Sequence, residues 1–92
     1  MSEEEVFNMA EKINEVVPPR MPRLGEIVIY QVLSNDDCNV RHNHVDELPA
    51  VVVRVWGDDV VNLKVLTDGP HDVWMTSVQQ GDEPGYWYRP QD

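Results

Sequence analysis

The first segment of the chain has the hydrophobic spacing of an amphipathic helix. Its apolar residues recur at steps of three and four positions, which places them on one helical face: Val6, Met9, Ala10, Ile13 and Val17. Ser2 and Glu5 have the spacing of a capping box, and Pro18 with Pro19 would end a helix. The pattern predicts a helix over residues 2–17, whose apolar face either covers the rest of the domain or contacts a second copy of the chain.

After a connector rich in proline at residues 18–23, the pattern changes to short apolar runs separated by turns. These runs are rich in β-branched and aromatic residues and too short for helices, which predicts strands at 27–33, 50–56, 60–66 and 73–78. Short strands with regular turns are typical of a small antiparallel barrel. We therefore expect a mainly β chain of the α+β class, in which an N-terminal helix (1–17) and a connector (18–23) precede an SH3-like β-barrel domain (24–92).

Alternation within the strands predicts which side chains face the core. In the third strand, Val61, Leu63 and Val65 alternate with more polar neighbours and are expected to face inward. In the second strand, strict alternation would place Arg54 on the same face as Ala50, Val52 and Trp56. The polar segment 34–47 shows no periodicity, so it is predicted to be a long loop, either functional or mobile.

Composition narrows the classes of partner. The chain has 92 residues, 17 of them acidic and 7 basic, for a formal charge of −10. This balance disfavours direct DNA binding and an anionic membrane surface, because both need clustered Lys and Arg. The acidic start is unlike a secretion signal, which favours an intracellular protein. The single cysteine, Cys38, excludes an internal disulfide.

Candidate metal ligands and nucleophiles occur in the 34–47 segment. On an extended backbone, His42, His44 and Asp46 would point the same way and resemble a zinc or iron ligand set. Exposed loop histidines are the simpler interpretation, so no metal and no cofactor are expected. Cys38 has no combination of base and orienting group in the sequence that would make it a nucleophile. We therefore predict no enzyme activity.

Aromatic residues close to arginines are the most unusual feature of the composition. Near the C-terminus, Tyr86, Trp87 and Tyr88 adjoin Arg89, and Trp74 lies one strand earlier. Such clusters stack on flat ligands, anchor protein interfaces or fill a small core. Arg54, close to Trp56, could hold a carboxylate or phosphate, or could cover the indole with its stem.

Several stretches together carry a family resemblance. They are 49–53, 62–66, 74–78 and 84–90, with Gly25-Glu26-Ile27 at the start of the first strand. The region from about 22 to 90 resembles a family of small proteins of bacteriophages and prophage-bearing bacteria that end in a Pro-Gly-x-Trp-x-x-Pro tail. The family usually has a second aromatic residue where this chain has Arg89. The resemblance implies a small β-barrel and a phage protein acting in the host cytoplasm, and it fixes no activity.

A phage setting favours three functions. The leading hypothesis is a non-enzymatic sponge, a homo-oligomer joined through the N-terminal helix that sequesters a cyclic-nucleotide immune signal of the host. Base stacking would use the aromatic tail, and Arg54, Arg89 or Arg41 would bind phosphate, with His44 as a further ligand-binding candidate. The alternative is a virion or host-takeover accessory protein that binds another protein. An acidic mimic of DNA is less favoured, because the acids cluster in the first turn and in loops.

Overall fold

A computed structural model describes residues 21–90 of the chain, which form one antiparallel sheet. Its five strands are β1 (Ile27–Gln31), β2 (Glu47–Val55), β3 (Val60–Val65), β4 (Val73–Gln79) and β5 (Trp87–Tyr88). A single turn of 3-10 helix, His42–His44, lies between β1 and β2. The helix predicted at 2–17, with the oligomer contact assigned to it, lies outside the described residues.

The prediction of an α+β chain with a small SH3-like barrel preceded by a helix is wrong. The fold is mainly β, and residues 21–90 contain no α-helix. The strands follow the order β4-β3-β2-β1-β5 and curl into a half-barrel. Near the closing point, the Gly81 N–H donates to the Trp87 carbonyl at 2.9 Å. Because β5 is only two residues long, it cannot form the ladder with β4 that a complete barrel requires.

The concave side of the sheet holds the hydrophobic core. In β3, the inward positions predicted from alternation are confirmed, because Val61, Leu63 and Val65 are fully buried. Trp87 is the largest of the fully buried side chains. The other buried apolar residues are Val28, Tyr30, Val40, Leu48, Ala50, Val52 and Val78. Burial of this apolar surface, at about 25 cal/mol per Å², is the main term that holds the curled sheet together.

Two β-bulges meet at the middle of β3 and change which face the following residues occupy. Val52 pairs with Leu63, but Arg54 pairs with the next β3 residue, Asn62, so Val53 is an extra residue in β2. A bulge of this kind shifts the alternation by one position. Arg54 and Trp56 therefore lie on the convex face, and the predicted common face with the buried Ala50 and Val52 is wrong.

The segment between β1 and β2 is anchored to the domain. Val40 is buried in the core. The carboxylate of Asp36 accepts hydrogen bonds from the Tyr30 hydroxyl at 2.8 Å and from the Leu33 N–H at 2.7 Å. The Asn43 side-chain amide donates to the Asp68 carboxylate at 2.9 Å, which ties the segment to the β3–β4 turn. Within residues 21–90, no helix has the length and apolarity needed to cross a bilayer.

Candidate functional site: the convex sheet face

The convex face of the sheet presents one continuous row of residues across four strands. Ile27 of β1 pairs with Val51 of β2, Val51 with Lys64 of β3, and Lys64 with Trp74 of β4. Directly paired residues in a sheet share a face and lie close enough to contact one another. This row connects β1 to β4 across the side of the sheet that faces away from the core.

Large apolar side chains on this face remain open to solvent. Trp56 is 52% exposed and Trp74 is 57% exposed. We call the exposed apolar residues of the convex face the outer patch: Ile27, Val53, Trp56, Leu66 and Trp74. Single exposed apolar residues are ordinary, but a group of them on one sheet face is a candidate binding surface.

Trp56 is held in one orientation by two neighbours. The Arg54 guanidinium lies 3.9 Å from the centroid of the Trp56 ring, which is cation–π geometry. The indole N–H donates to Oδ1 of Asn62 at 2.9 Å. A side chain ordered in advance loses less conformational entropy when it binds a partner. Trp56 is thus both exposed and preorganised.

The side-chain oxygen of Asn62 accepts three hydrogen bonds, one of them from Trp56. Asn62 is buried, and its Oδ1 also accepts hydrogen bonds from the Thr76 hydroxyl and the Ser77 backbone N–H, each at 2.9 Å. Thr76 and Ser77 form the bulge of β4 that lies opposite Asn62 in the β3–β4 register. Ser77 has a φ of 58°, in the left-handed region. One amide oxygen therefore stabilises the β4 bulge and fixes the orientation of Trp56.

The charges around the outer patch are of both signs. Lys64 lies between Asn62 and Trp74 along the face, and its Nζ is 3.7 Å from the Asp72 carboxylate. Two exposed acids, Asp58 and Asp59, follow Trp56 in the β2–β3 turn. Arg54 is the other cation of the face, and its guanidinium covers one side of the Trp56 ring.

Two residues of the aromatic tail, the buried Trp87 and the half-buried Tyr86, do not belong to the outer patch. Trp87 is completely buried, and its indole N–H donates to the Asp59 carbonyl at 3.1 Å. The Tyr86 ring packs on Gly81, where an added Cβ would lie 2.7 Å from Cδ2 of Tyr86. Of the readings open to Trp74 and Trp87, core filling therefore applies to Trp87, while Trp74 is exposed.

Tyr88 and Arg89 are engaged with carboxylates on the other side of β1. The Tyr88 hydroxyl donates to the Glu47 carboxylate at 2.6 Å, and this hydrogen bond raises the pKa of Tyr88 above its ordinary value. Arg89 Nε lies 2.5 Å from the Glu26 carboxylate, and both side chains are largely buried. Tyr88 and Arg89 line an open cleft of about 660 Å³ together with Gln31, Glu47, Gln80, Gly81 and Asp82.

Arg41 and His44 lie in a third place, a shallow cleft of about 340 Å³ beside the 32–46 segment. Arg41 Nε donates to the Asp36 carbonyl at 2.7 Å. The predicted alignment of His42, His44 and Asp46 is absent, because His44 has a φ of 60° and the backbone there is not extended. Among residues 21–90, no group of three or more His, Cys, Asp or Glu side chains is placed to hold a metal.

The nine candidates from the sequence therefore separate into four places. Only Arg54, Trp56 and Trp74 share the convex face. Asn62 is not among these candidates, although a polar residue in the middle of an apolar strand is a sequence signal for a special role. Ile27 and Leu66 are not among them either, and their exposure follows from the strand register.

Comparison of the chain with protein-family models, with curated proteins and with solved structures finds no match. The family resemblance noted in the sequence, and the phage setting that it implies, therefore stay predictions.

Proposed function

We propose that this protein is a non-enzymatic binding domain that holds another protein on its convex sheet face. The observation that carries the proposal is the pair of tryptophans, Trp56 and Trp74, each more than half exposed on a hydrogen-bonded sheet. Tryptophan is enriched among the residues that dominate the binding energy of protein interfaces. This choice corresponds to the accessory-protein hypothesis rather than to the sponge.

The placement of the aromatic tail favours a protein partner over a nucleotide. Trp87 is in the core, and Arg89 is paired with Glu26. Trp87 is therefore not available for stacking, and Arg89 already has a carboxylate partner, so the tail lacks two of the contacts that the sponge hypothesis assigned to it. The outer patch, in contrast, has the apolar character of a protein interface core.

The charge of the chain indicates which protein surfaces would fit. A formal charge of −10 creates a negative field that attracts basic partners and repels acidic ones. Asp58, Asp59 and Asp72 lie near the edge of the outer patch in the turns that adjoin it. The partner is therefore a protein with an apolar patch rimmed by Lys or Arg, which in a phage setting would be a virion or host protein.

One observation keeps the nucleotide sponge as a second candidate. Arg54, Lys64, Trp56 and Trp74 occupy the same convex face, so cations and aromatic rings are available together. A nucleotide would then use these residues instead of the tail. At about a hundred times its Kd, a bound nucleotide would raise the free energy of unfolding by about 2.7 kcal/mol.

The experiment that tests the proposal compares variants of the full chain as bait in cells or extracts. We expect the wild type to retain one stoichiometric protein, and Trp56→Ala and Trp74→Ala to lose it. Met21→Ala is the matched control, because Met21 is a half-exposed apolar residue that is not part of the outer patch. Retention of the same partner by both tryptophan variants would contradict the proposal.

The same variants separate the two candidate functions. Thermal unfolding with and without cyclic nucleotides measures whether such a ligand stabilises the protein. A nucleotide-dependent shift that Arg54→Ala abolishes, with no protein retained, would favour the sponge. A retained protein and no nucleotide shift would favour the protein-binding domain.

A further inference from the structure

The sheet ends at β4, and this edge strand carries no charged residue or proline that would block strand pairing. In the strand order, β4 pairs with β3 on one side, and no strand among residues 21–90 pairs with its other side. Its sequence, VWMTSVQ, contains neither a charged residue nor a proline. Natural edge strands commonly carry such residues to prevent unwanted pairing. The β4 edge is therefore chemically open to an added strand.

The hydrogen bonds of β3 show which way the backbone of β4 points. The Leu66 N–H donates to the Pro49 carbonyl at 2.9 Å, so the backbone polar groups of Leu66 point toward β2. Backbone polar groups alternate in direction along a strand of an antiparallel sheet. Those of the preceding residue, Val65, therefore point toward β4, where Val65 pairs with Val73.

The same alternation identifies the groups at the open edge. Since Val73 points its backbone groups at β3, the next residue, Trp74, points its N–H and C=O away from the sheet. Met75, opposite Leu63, points back toward β3. Trp74 thus presents a backbone donor and acceptor at the edge and its side chain on the convex face.

The bulge limits the open edge to the first part of β4. The Ser77 N–H is already bonded to Asn62, and the φ of 58° at Ser77 breaks the regular pleat. Farther on, the Gly81 N–H bonds to the Trp87 carbonyl and closes that end of the strand. The stretch available to an added strand is therefore centred on Trp74, next to the outer patch.

We infer that this edge binds an extended segment of the partner protein as an additional strand, an inference that rests on the proposed function. Strand addition obtains affinity from main-chain hydrogen bonds and specificity from alternate side chains. On the convex side, the side chains of the added strand would extend the row that ends at Trp74. The interface then has two parts, the outer patch and the β4 edge.

The negative charge of the chain favours pairing of the β4 edge with a basic segment of another protein over pairing with a second copy of this chain. Two copies paired through β4 would bring together two chains of formal charge −10. Asp72 also stands immediately before β4 and would be carried into such a pairing. A segment that alternates apolar residues with Lys or Arg would instead place opposite charges near Asp72 and the acidic chain.

The test uses the full-length protein and a short capped peptide of alternating valine and lysine. Amide hydrogen exchange is followed residue by residue. At about ten times the Kd of the peptide, exchange of the Trp74 amide is expected to slow about tenfold, while Val73 and Met75 are protected with or without it. The matched control peptide has N-methylated valines, which keep the side chains and remove the backbone donors, and it is expected not to protect Trp74.

Two variants separate the backbone donor of Trp74 from its side chain. Trp74→Ala keeps the outward N–H, whereas Trp74→Pro removes it, and proline is tolerated where a strand N–H faces away from the sheet. We expect the peptide to bind more weakly to Trp74→Pro than to Trp74→Ala, with Val73 and Met75 still protected in both. Strand addition would be overturned if the peptide bound Trp74→Pro and Trp74→Ala with equal affinity. It would also be overturned if the N-methylated and unmethylated peptides bound the wild type with equal affinity.

The remaining outcomes keep this inference separate from the proposed function. A Trp74 amide that is already protected in the free protein, by residues outside the described range or by a second copy, would overturn the inference. So would failure of the peptide to bind at all. A partner that is captured equally well by Trp74→Ala and Trp74→Pro, but lost in Trp56→Ala, would overturn strand addition and leave the proposed function standing. If wild-type bait retains no protein, the proposed function itself falls.

Discussion

The Trp56 indole N–H donates to Oδ1 of Asn62 at 2.9 Å, and this hydrogen bond joins an exposed side chain of the convex face to the centre of the sheet. The same oxygen accepts two donors from the β4 bulge, Thr76 and Ser77. The shape of the edge strand and the orientation of the exposed indole therefore depend on one amide group.

Replacing Asn62 with leucine is expected to destabilise the protein by about 2–3 kcal/mol, because the variant leaves three donors without their acceptor. Urea denaturation measures this change. Trp56→Phe is the control, since it removes one of the three hydrogen bonds and is expected to cost about 1 kcal/mol. Equal stability of wild type and Asn62→Leu would show that the bulge does not depend on this amide.

Truncation of the exposed Trp74 and of the buried Trp87 should change the free energy of unfolding by very different amounts. Trp87→Ala leaves a large cavity in the core and is expected to cost about 3–5 kcal/mol. Trp74→Ala removes an exposed side chain and is expected to change stability by less than about 0.5 kcal/mol. Thermal and urea unfolding of both variants check the comparison, and similar losses in the two would contradict the assigned burial.

Stability should fall at alkaline pH because of Tyr30. Burial, aided by the hydrogen bond to Asp36 and its negative charge, raises the pKa of Tyr30 well above its ordinary value. Below about pH 10 both folded and unfolded states keep the proton, so Tyr30 contributes no pH dependence there. Above that pH, the unfolded state loses its proton first, and the free energy of unfolding decreases as pH rises.

Urea unfolding between neutral pH and pH 11 would measure this decrease. Tyr30→Phe should be less stable than wild type at neutral pH, because it loses the bond to Asp36, and should show a smaller alkaline decrease. Ultraviolet titration of the folded protein should find that Tyr30 ionises well above the ordinary tyrosine range. The interpretation would be wrong if the wild type and Tyr30→Phe lost stability equally between pH 10 and pH 11.

The Glu26–Arg89 pair should be costly to break from either side. Both side chains are largely buried, and Arg89 also lies 5.3 Å from the centroid of the Trp87 ring. Glu26→Gln or Arg89→Met is expected to destabilise by about 2 kcal/mol, since each removes the largely buried, hydrogen-bonded ion pair. The double variant should recover part of that loss, and a double-mutant cycle by urea denaturation measures the coupling. If the losses in unfolding free energy of the two single variants simply added in the double variant, the ion pair would not be the stabilising element.

Local pattern was sufficient to predict four of the five strands. The β-branched runs and their turns place β1 to β4 within a few residues of their observed bounds. The alternation of Val61, Leu63 and Val65 identified the inward face of β3 because nothing interrupts the pleat there. The fifth strand escaped prediction because a two-residue strand, Trp87–Tyr88, is defined by its partner in β1 and not by its own sequence.

The face occupied by Arg54 and Trp56 could not be derived from spacing alone. Strict alternation assumes one residue per pleat, and the extra residue Val53 violates that assumption. No glycine in the sequence marks this bulge. It lies opposite Asn62 of β3, so it is defined by pairing between two strands. The predicted closeness of Arg54 and Trp56 is observed, because both residues follow the extra residue Val53 and still alternate with each other.

Trp87 also bears on how the chain folds. The strands β2, β3 and β4 follow one another as hairpins and can form from contacts close in sequence, whereas β1 and β5 join residues separated by more than half of the chain. Long-range closure of this kind is slow, because the intervening chain must be ordered before the contact repays its entropy. We therefore expect the last step of folding to be the burial of the Trp87 indole, when β5 pairs with β1 after the β2–β4 meander has formed.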